Sequence, residues 1–242
     1  MRERLSQIKN NFSENIKIVE RLMKFDEVIA SLCLSILKKT DEGLKNIGRD
    51  KHPSFSVKPM ITQIERISQN DSLKPSYEIM FNQCVVLLVS YFCSAIEDLF
   101  LVALQNKIDN KDLGKLGDEE IKLTIGQLVG GNIVDLFILR KDISFQDMQS
   151  IGRAFKDYIG VDEIPRDKIV NNIIISQACR HGIVHDGSIA NKKVIEQIKS
   201  ANPRDLKPNL KIDDKILFSE DEIKIIISSM MQYINQLINQ LA

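Results

Sequence analysis

The sequence predicts an all-helical bundle. Three observations carry this. Apolar residues recur at three- and four-residue spacing at both ends of the chain. The stretch from Phe81 to Ile96 lacks charge and is apolar on nearly all sides. No repeat, low-complexity tract or linker divides the chain. The expected organisation is a single helical domain over 1–242, with 1–70 as an N-terminal helical extension and 75–242 as the core.

Leu5, Ile8, Phe12, Ile16, Val19 and Leu22 form one apolar face and predict a first helix. A second helix is expected from Asp26 to about Lys39, with Val28, Ile29, Leu32 and Ile36 turned inward. Gly43, Gly48 and Pro53 predict a loop from Gly43 to Pro53, then a short helix near Pro59 to Gln69. The dominant element starts near Pro75 and runs to about Lys107. A helix apolar all round belongs at the centre of a bundle. The uncharged run is too short to span a membrane, and Glu97-Asp98 end it.

Gly114, Gly117 and Asp118 predict a turn. Helices then cover Glu119–Val129, Phe145–Tyr158 and Asp167–Val184, with Gly130-Gly131 as a break between the first two. A further helix covers Asn191–Ser200, and Pro203 and Pro208 mark a loop. Leu210, Ile212, Ile216 and Phe218 suggest a short hairpin within 208–218. Ser219-Glu220-Asp221-Glu222 has the form of a capping box, in which hydroxyl and carboxylate each satisfy one orphan amide. The last helix carries Ile223, Ile226, Met230, Ile234, Leu237 and Leu241 on one face.

Composition narrows the function classes. The 242 residues are 43% hydrophobic, which suits a folded chain. Lys plus Arg and Asp plus Glu each number 33. Zero net charge argues against a generic polyanion binder, although it leaves room for a local basic cleft. Cys33, Cys84, Cys93 and Cys179 form no CxxC pair and read as free, buried thiols. That fits a cytoplasmic location, as does the absence of a signal peptide after Met1-Arg2-Glu3-Arg4.

His52, His181 and His185 are the three histidines, and two of them flank a short stretch after Arg180. Arg180-His181-Gly182-Ile183-Val184-His185 therefore stands out as the place for chemistry. On an ideal helix His181 and His185 share a face, whereas Arg180 and His185 diverge by about 140°. Convergence of Arg180 and His185 needs either an opened last turn, near Gly182 and Asp186-Gly187, or a second copy of the chain.

Metal-free RNA cleavage requires proton transfer from the 2′-hydroxyl and to the leaving oxygen, together with a cation for the phosphorane. Histidine and arginine supply these. Two other readings stay open on the residues alone. The cluster can simply cap carbonyls and complement a helix dipole. His181, His185 and Asp186 can also bind a metal, although Gly182 stands where a HExxH helix has its Glu. No metal or other cofactor is expected.

At these residues the sequence resembles the HEPN superfamily, whose mark is an Arg, usually a polar residue next, and a His a few positions on. Arg180, His181 and His185 fit. Asp186-Gly187 resembles the acidic or polar residue and Gly found after the His in some forms of the motif. Ser94-Ala95-Ile96-Glu97-Asp98-Leu99-Phe100 resembles the acidic early helix of that family. The likeness covers Pro75 to the C-terminus and is nearest to stand-alone prokaryotic HEPN proteins, the RiboL-PSP-HEPN group among them.

The resemblance implies a helical homodimer with a composite site, acting as a metal-independent RNA endonuclease, often as a toxin or antiviral effector with a cognate antitoxin or regulator. It implies that Arg180 holds phosphate charge, His185 transfers protons and His181 assists. Glu97 on the facing helix and Asp186 would support them, with Arg180 as a partner for Glu97. RNA is the expected partner, and no membrane is. The alternative is a non-catalytic HEPN module that binds nucleotide, RNA or a protein. Arg140, Lys141, Arg153, Lys156, Arg166 and Lys168 are candidates to line an RNA cleft.

Overall fold

The computed structural model describes residues 1–49, 56–69, 74–112, 133–162 and 164–242. Its architecture is all-α. The described α-helices are α1 (Arg2–Met23), α2 (Phe25–Asn46), α3 (Lys58–Gln69), α4 (Lys74–Asp109), α5 (Ile133–Lys141), α6 (Met148–Ala154), α7 (Lys168–His185), α8 (Lys192–Ser200) and α9 (Glu220–Leu241). A π-helical turn, Phe155–Ile159, continues α6. His52, the turn near Gly114, the helix expected over Glu119–Val129 and the Gly130-Gly131 break lie outside the described residues.

Helix α4 is the axis of the bundle. Cys84, Val85, Leu88, Val89, Phe92, Ile96, Leu99, Phe100 and Leu104 are all buried along it, because α1, α7 and α9 pack around it. Among the described residues it alone has the length and apolarity to cross a bilayer. Aromatic edges fix the neighbours. Phe92 meets Phe12 of α1 with centroids 6.4 Å apart and Tyr233 of α9 at 5.8 Å. Phe100 meets Phe145 at 5.3 Å and Phe155 at 5.4 Å.

The N-terminal helices divide differently from the expected extension. Leu5, Phe12, Ile16, Val19 and Met23 of α1 belong to the core. Helix α2 instead packs chiefly against α3, with Lys38 and Glu65 paired at 2.9 Å. Val28, Ile29, Leu32 and Ile36, expected inward, are exposed. Helix α2 is apolar on two sides, and Ala30, Leu34 and Leu37 take the partly covered one. The loop expected from Gly43 also starts later, since α2 runs to Asn46. An interior helical Gly costs only about 1 kcal/mol relative to Ala, which the rest of a helix this long absorbs.

The starts of α7, α8 and α9 match the sequence closely, whereas α6 starts at Met148, three residues after the expected Phe145, and α5 was not expected. Asp147, Asp167 and Asn191 cap α6, α7 and α8, each accepting from the third amide onward at 2.8, 3.0 and 2.9 Å. Each cap contributes about 1 kcal/mol. The capping box forms as well: Ser219 Oγ accepts from the Glu222 amide, and Glu222 accepts from the Ser219 amide at 3.1 Å.

The expected hairpin within 208–218 does not form. That segment pairs with the stretch after α7 instead. Ala190 N donates to Asp214 O and Asp213 N to Ala190 O, both at 2.9 Å, and Ile216 N donates to Ser188 O at 2.7 Å. Among the described residues the one isolated bridge is Ile189 with Lys215, antiparallel. Ile216, fully buried, reaches the backbone of Gly182, where an added Cβ would sit 2.7 Å from its Cδ1. The apolar residues are thus used against α7 rather than against each other.

Candidate functional site

Helix α7 carries the motif, and buried polar groups hold it in place. Asn171, Asn172 and Ser176 are essentially inaccessible. Buried amides require partners, and these have them. Asn171 donates to Pro203 O at 3.0 Å and accepts from Arg166 Nε at 3.1 Å. Asn172 donates to Ser229 Oγ on α9 at 3.2 Å and accepts from the Asp205 amide at 3.1 Å. Ser176 donates to Asn172 O at 2.8 Å. Helix α7 is thereby fixed in rotation between α9 and the loop before residue 206, and this sets where its last turns point.

The helix stays regular through His185. The Asp186 amide still bonds Gly182 O at 3.1 Å, and only then does the chain turn, at Gly187 with φ of +62°. The opened last turn that would join Arg180 to His185 within one chain does not occur. Gly182 is there because the Ile216 loop packs on it, not to unwind the helix.

His181 and His185 lie together, with ring centroids 4.7 Å apart at 46°. Both are exposed, as is Val184 between them. Arg180 turns the other way. Its side chain is half-buried, and its Nε is enclosed without a hydrogen-bond partner. The thiol of Cys93 on α4, pushed up to about 11 chiefly by burial, feels the Arg180 charge.

Glu97 does not meet Arg180. It is exposed, one turn beyond Cys93, and no ion pair joins it to Arg180 among the described residues. Burial, Asp98 and Asp135 raise its carboxyl above the ordinary value. The acidic residues of the central helix thus form their own group beside α5. Asp186 accepts from Asn191 Nδ2 at 2.8 Å and so ties the end of α7 to the start of α8. Among the described residues no three His, Cys, Asp or Glu side chains stand close enough to hold a metal.

Beside the motif a cleft of about 800 Å³ opens between α6, α7 and α8. Arg180 and His181 lie in its wall, with Arg153, Arg166 and Lys193. Of the cations considered from sequence, Arg153 and Arg166 line it, whereas Lys168 pairs with Asp205 at 2.7 Å outside it. Arg140, Lys141 and Lys156 are not part of its wall. Sequence reasoning missed Lys193 and Gln177. Their signal was weak: Lys193 lies on a different helix, and Gln177 looks like one more polar residue in an apolar helix.

Compared with protein-family models, with curated proteins and with solved structures, the chain matches none.

Proposed function

We propose that this chain is a metal-independent endoribonuclease of HEPN type that works as a homodimer. The observation that carries the reading is Arg180. Its guanidinium is half-buried beside a basic cleft, forms no ion pair among the described residues, and lies on the helix whose exposed side carries the imidazole pair His181 and His185. A permanently charged fork suits a phosphate, and imidazoles titrate near neutral pH. In the proposed reaction the 2′-hydroxyl attacks phosphorus as its proton passes to one base. The 5′-oxygen leaves with a proton from an acid, giving a 2′,3′-cyclic phosphate and a 5′-hydroxyl.

Arg180 and His185 face different directions on one intact helix, so the reading requires a second chain to bring its His185 to this Arg180. The exposed face of His181, Val184 and His185 is the surface such a dimer would use. A cytoplasmic toxin or antiviral effector of this kind would need an antitoxin or regulator to restrain it. The test is cleavage of RNA in EDTA. Cleavage should vanish in His185→Ala and in Arg180→Ala; full activity in both variants would sink the proposal.

The divergence of Arg180 and His185 also favours a second reading, a module that binds RNA, nucleotide or a protein without cleaving. RNA bound by pure dimer with no cyclic-phosphate product would select it.

A further inference from the structure

We propose that the cleft between α6, α7 and α8 is a phosphate-binding track for an unpaired RNA strand, with Gln177, Lys193 and Arg153 as its contacts away from the motif. The inference rests on the proposed RNA reading and adds where the strand runs. It begins with charge. The chain is neutral overall, and many lysines outside the cleft sit in ion pairs. Yet Arg153, Arg166, Arg180 and Lys193 converge on this cleft with no ion pair to any of them among the described residues. The carboxylate in the wall, Asp147, caps α6. Four cations against that one carboxylate leave the wall net positive, and an anion relieves their repulsion.

The second observation is a pair of donors without an oxygen or nitrogen acceptor. Gln177 is only 9% exposed. Its Oε1 accepts from the Met148 amide at 3.2 Å, which leaves Nε2 as the donating end, and Nε2 meets no oxygen or nitrogen acceptor, only the buried Cys93 thiol, a weak one. Arg180 Nε has no hydrogen-bond partner. Residues three apart on a helix are neighbours, and both residues line the cleft with these donor atoms enclosed in its wall. Buried donors are ordinarily satisfied. A wall of donors and cations is completed by a ligand rich in acceptor oxygens, and a phosphodiester is one.

Third, the cleft is pre-formed. Arg166 is held by Asn171 Oδ1, by Ser200 O at 3.0 Å and by Ser200 Oγ at 3.3 Å, all neutral acceptors that fix the guanidinium without discharging it. The lining runs along one face of α7, from Arg180 through Gln177 and Ile174 to Val170. Ten helical rises make that run about 15 Å long. Both the length and the volume suit a short run of unpaired nucleotides, whose phosphates and base edges are free to meet the wall. A strand leaving the reacting phosphate at Arg180 would pass over Gln177 toward Arg166 and the C-terminal end of α8.

The experiment uses the full chain carrying His185→Ala, so that RNA is bound and not consumed. A fluorescein-labelled ten-nucleotide RNA is titrated in EDTA by anisotropy over a series of salt concentrations. Arg153→Ala with Lys193→Ala should weaken binding at least tenfold. It should also lower the slope of log K against log salt by about 1.4, two phosphates at about 0.7 each for a single strand. Lys192→Ala, on the adjacent residue of α8 outside the cleft, should change nothing. Gln177→Glu should weaken binding tenfold or more, and Gln177→Met should show a smaller loss with the same circular dichroism.

Unchanged affinity and slope in the double variant overturn the track. So does tight binding of inorganic phosphate or a mononucleotide with no binding of the oligonucleotide. If RNA binds through the cleft and wild-type protein leaves it uncut, the track stands and the nuclease reading fails. If RNA is cut and the cleft variants bind normally, the nuclease reading stands and the track fails.

Discussion

Arg180 and His185 sit on the same unbroken helix and face different ways. The His185 ring lies 4.7 Å from that of His181, tilted by 46°, on the exposed side, while Arg180 turns into the cleft wall with its Nε enclosed. This relation makes the dimeric reading testable by mixing. Arg180→Ala and His185→Ala are each expected to be inactive alone. In a mixed dimer one composite site loses both groups and the other keeps both. If half of the dimers are mixed and each has one good site, the mixture regains about a quarter of wild-type RNA cleavage. Each parent and the mixture are assayed at equal total protein. An inactive mixture, with mixed dimers demonstrated, rules out a composite site.

Lys207 and Glu222 are expected to differ in their effect on stability. Lys207 Nζ reaches Glu222 Oε2 at 2.7 Å, donates to Leu217 O, and lies 3.8 Å over the Phe218 ring. The lysine is 8% exposed and the glutamate 22%. Glu222→Ala leaves a buried cation unpaired and removes half of the capping box. The cost is about 3 kcal/mol, or a fall of about 10 °C in Tm. Lys207→Met keeps the stem over Phe218 and leaves a carboxylate that still caps α9, so it costs about 1 kcal/mol. Urea unfolding of both variants checks the order; equal losses would contradict it.

Much of the architecture was legible because its signals are local. Asp167, Asn191 and Ser219 mark helix starts through their own backbone hydrogen bonds, and the apolar run on α4 marks the axis. What was not legible depends on long-range partners. The stripe from Val28 to Ile36 reads as a core face, but α2 has a second apolar side and α3 covers that one. Leu210 to Phe218 reads as a hairpin, yet Ser188 to Ala190 offers free backbone groups and Gly182 a gap for Ile216. For the site, the motif itself was visible in sequence. The Glu97–Arg180 pair was expected, but no ion pair joins them among the described residues: Arg180 turns into the cleft wall, and Glu97 is exposed with Asp98 and Asp135 near it. Lys193 joins the cleft from another helix, which no spacing reveals.

Burial governs the thiol chemistry. Cys84 and Cys93 are pushed up to about 11 and Cys179 to about 12, in each case chiefly by desolvation. All three are inside the core, whereas Cys33 is partly exposed. At pH 7.5 the buried thiols are protonated and shielded, and the thiolate is the reactive form. Native protein should therefore take up one maleimide, on Cys33, and four after denaturation in urea. Mass spectrometry of the intact chain counts them. Rapid labelling of Cys93 would contradict the closed packing between α4 and α7.

Glu97 gives a pH prediction with a definite sign. Its carboxyl is raised above 4.5 by desolvation first, then by Asp98 and Asp135. The folded state therefore holds this proton more tightly than the unfolded chain does. Stability is lost as pH climbs from the unfolded value near 4.5 through the folded one, and the penalty is constant above that. Glu97→Gln removes the charge and should raise Tm by about 1–2 °C at pH 7, a surface-sized effect. The gain should disappear by about pH 4, where the wild-type carboxyl is largely protonated. The same variant should keep full RNA cleavage, since Glu97 does not touch Arg180. Thermal unfolding at the two pH values measures the first expectation. A drop in Tm at pH 7 would mean that Glu97 has a cationic partner, and a loss of cleavage would return it to the site.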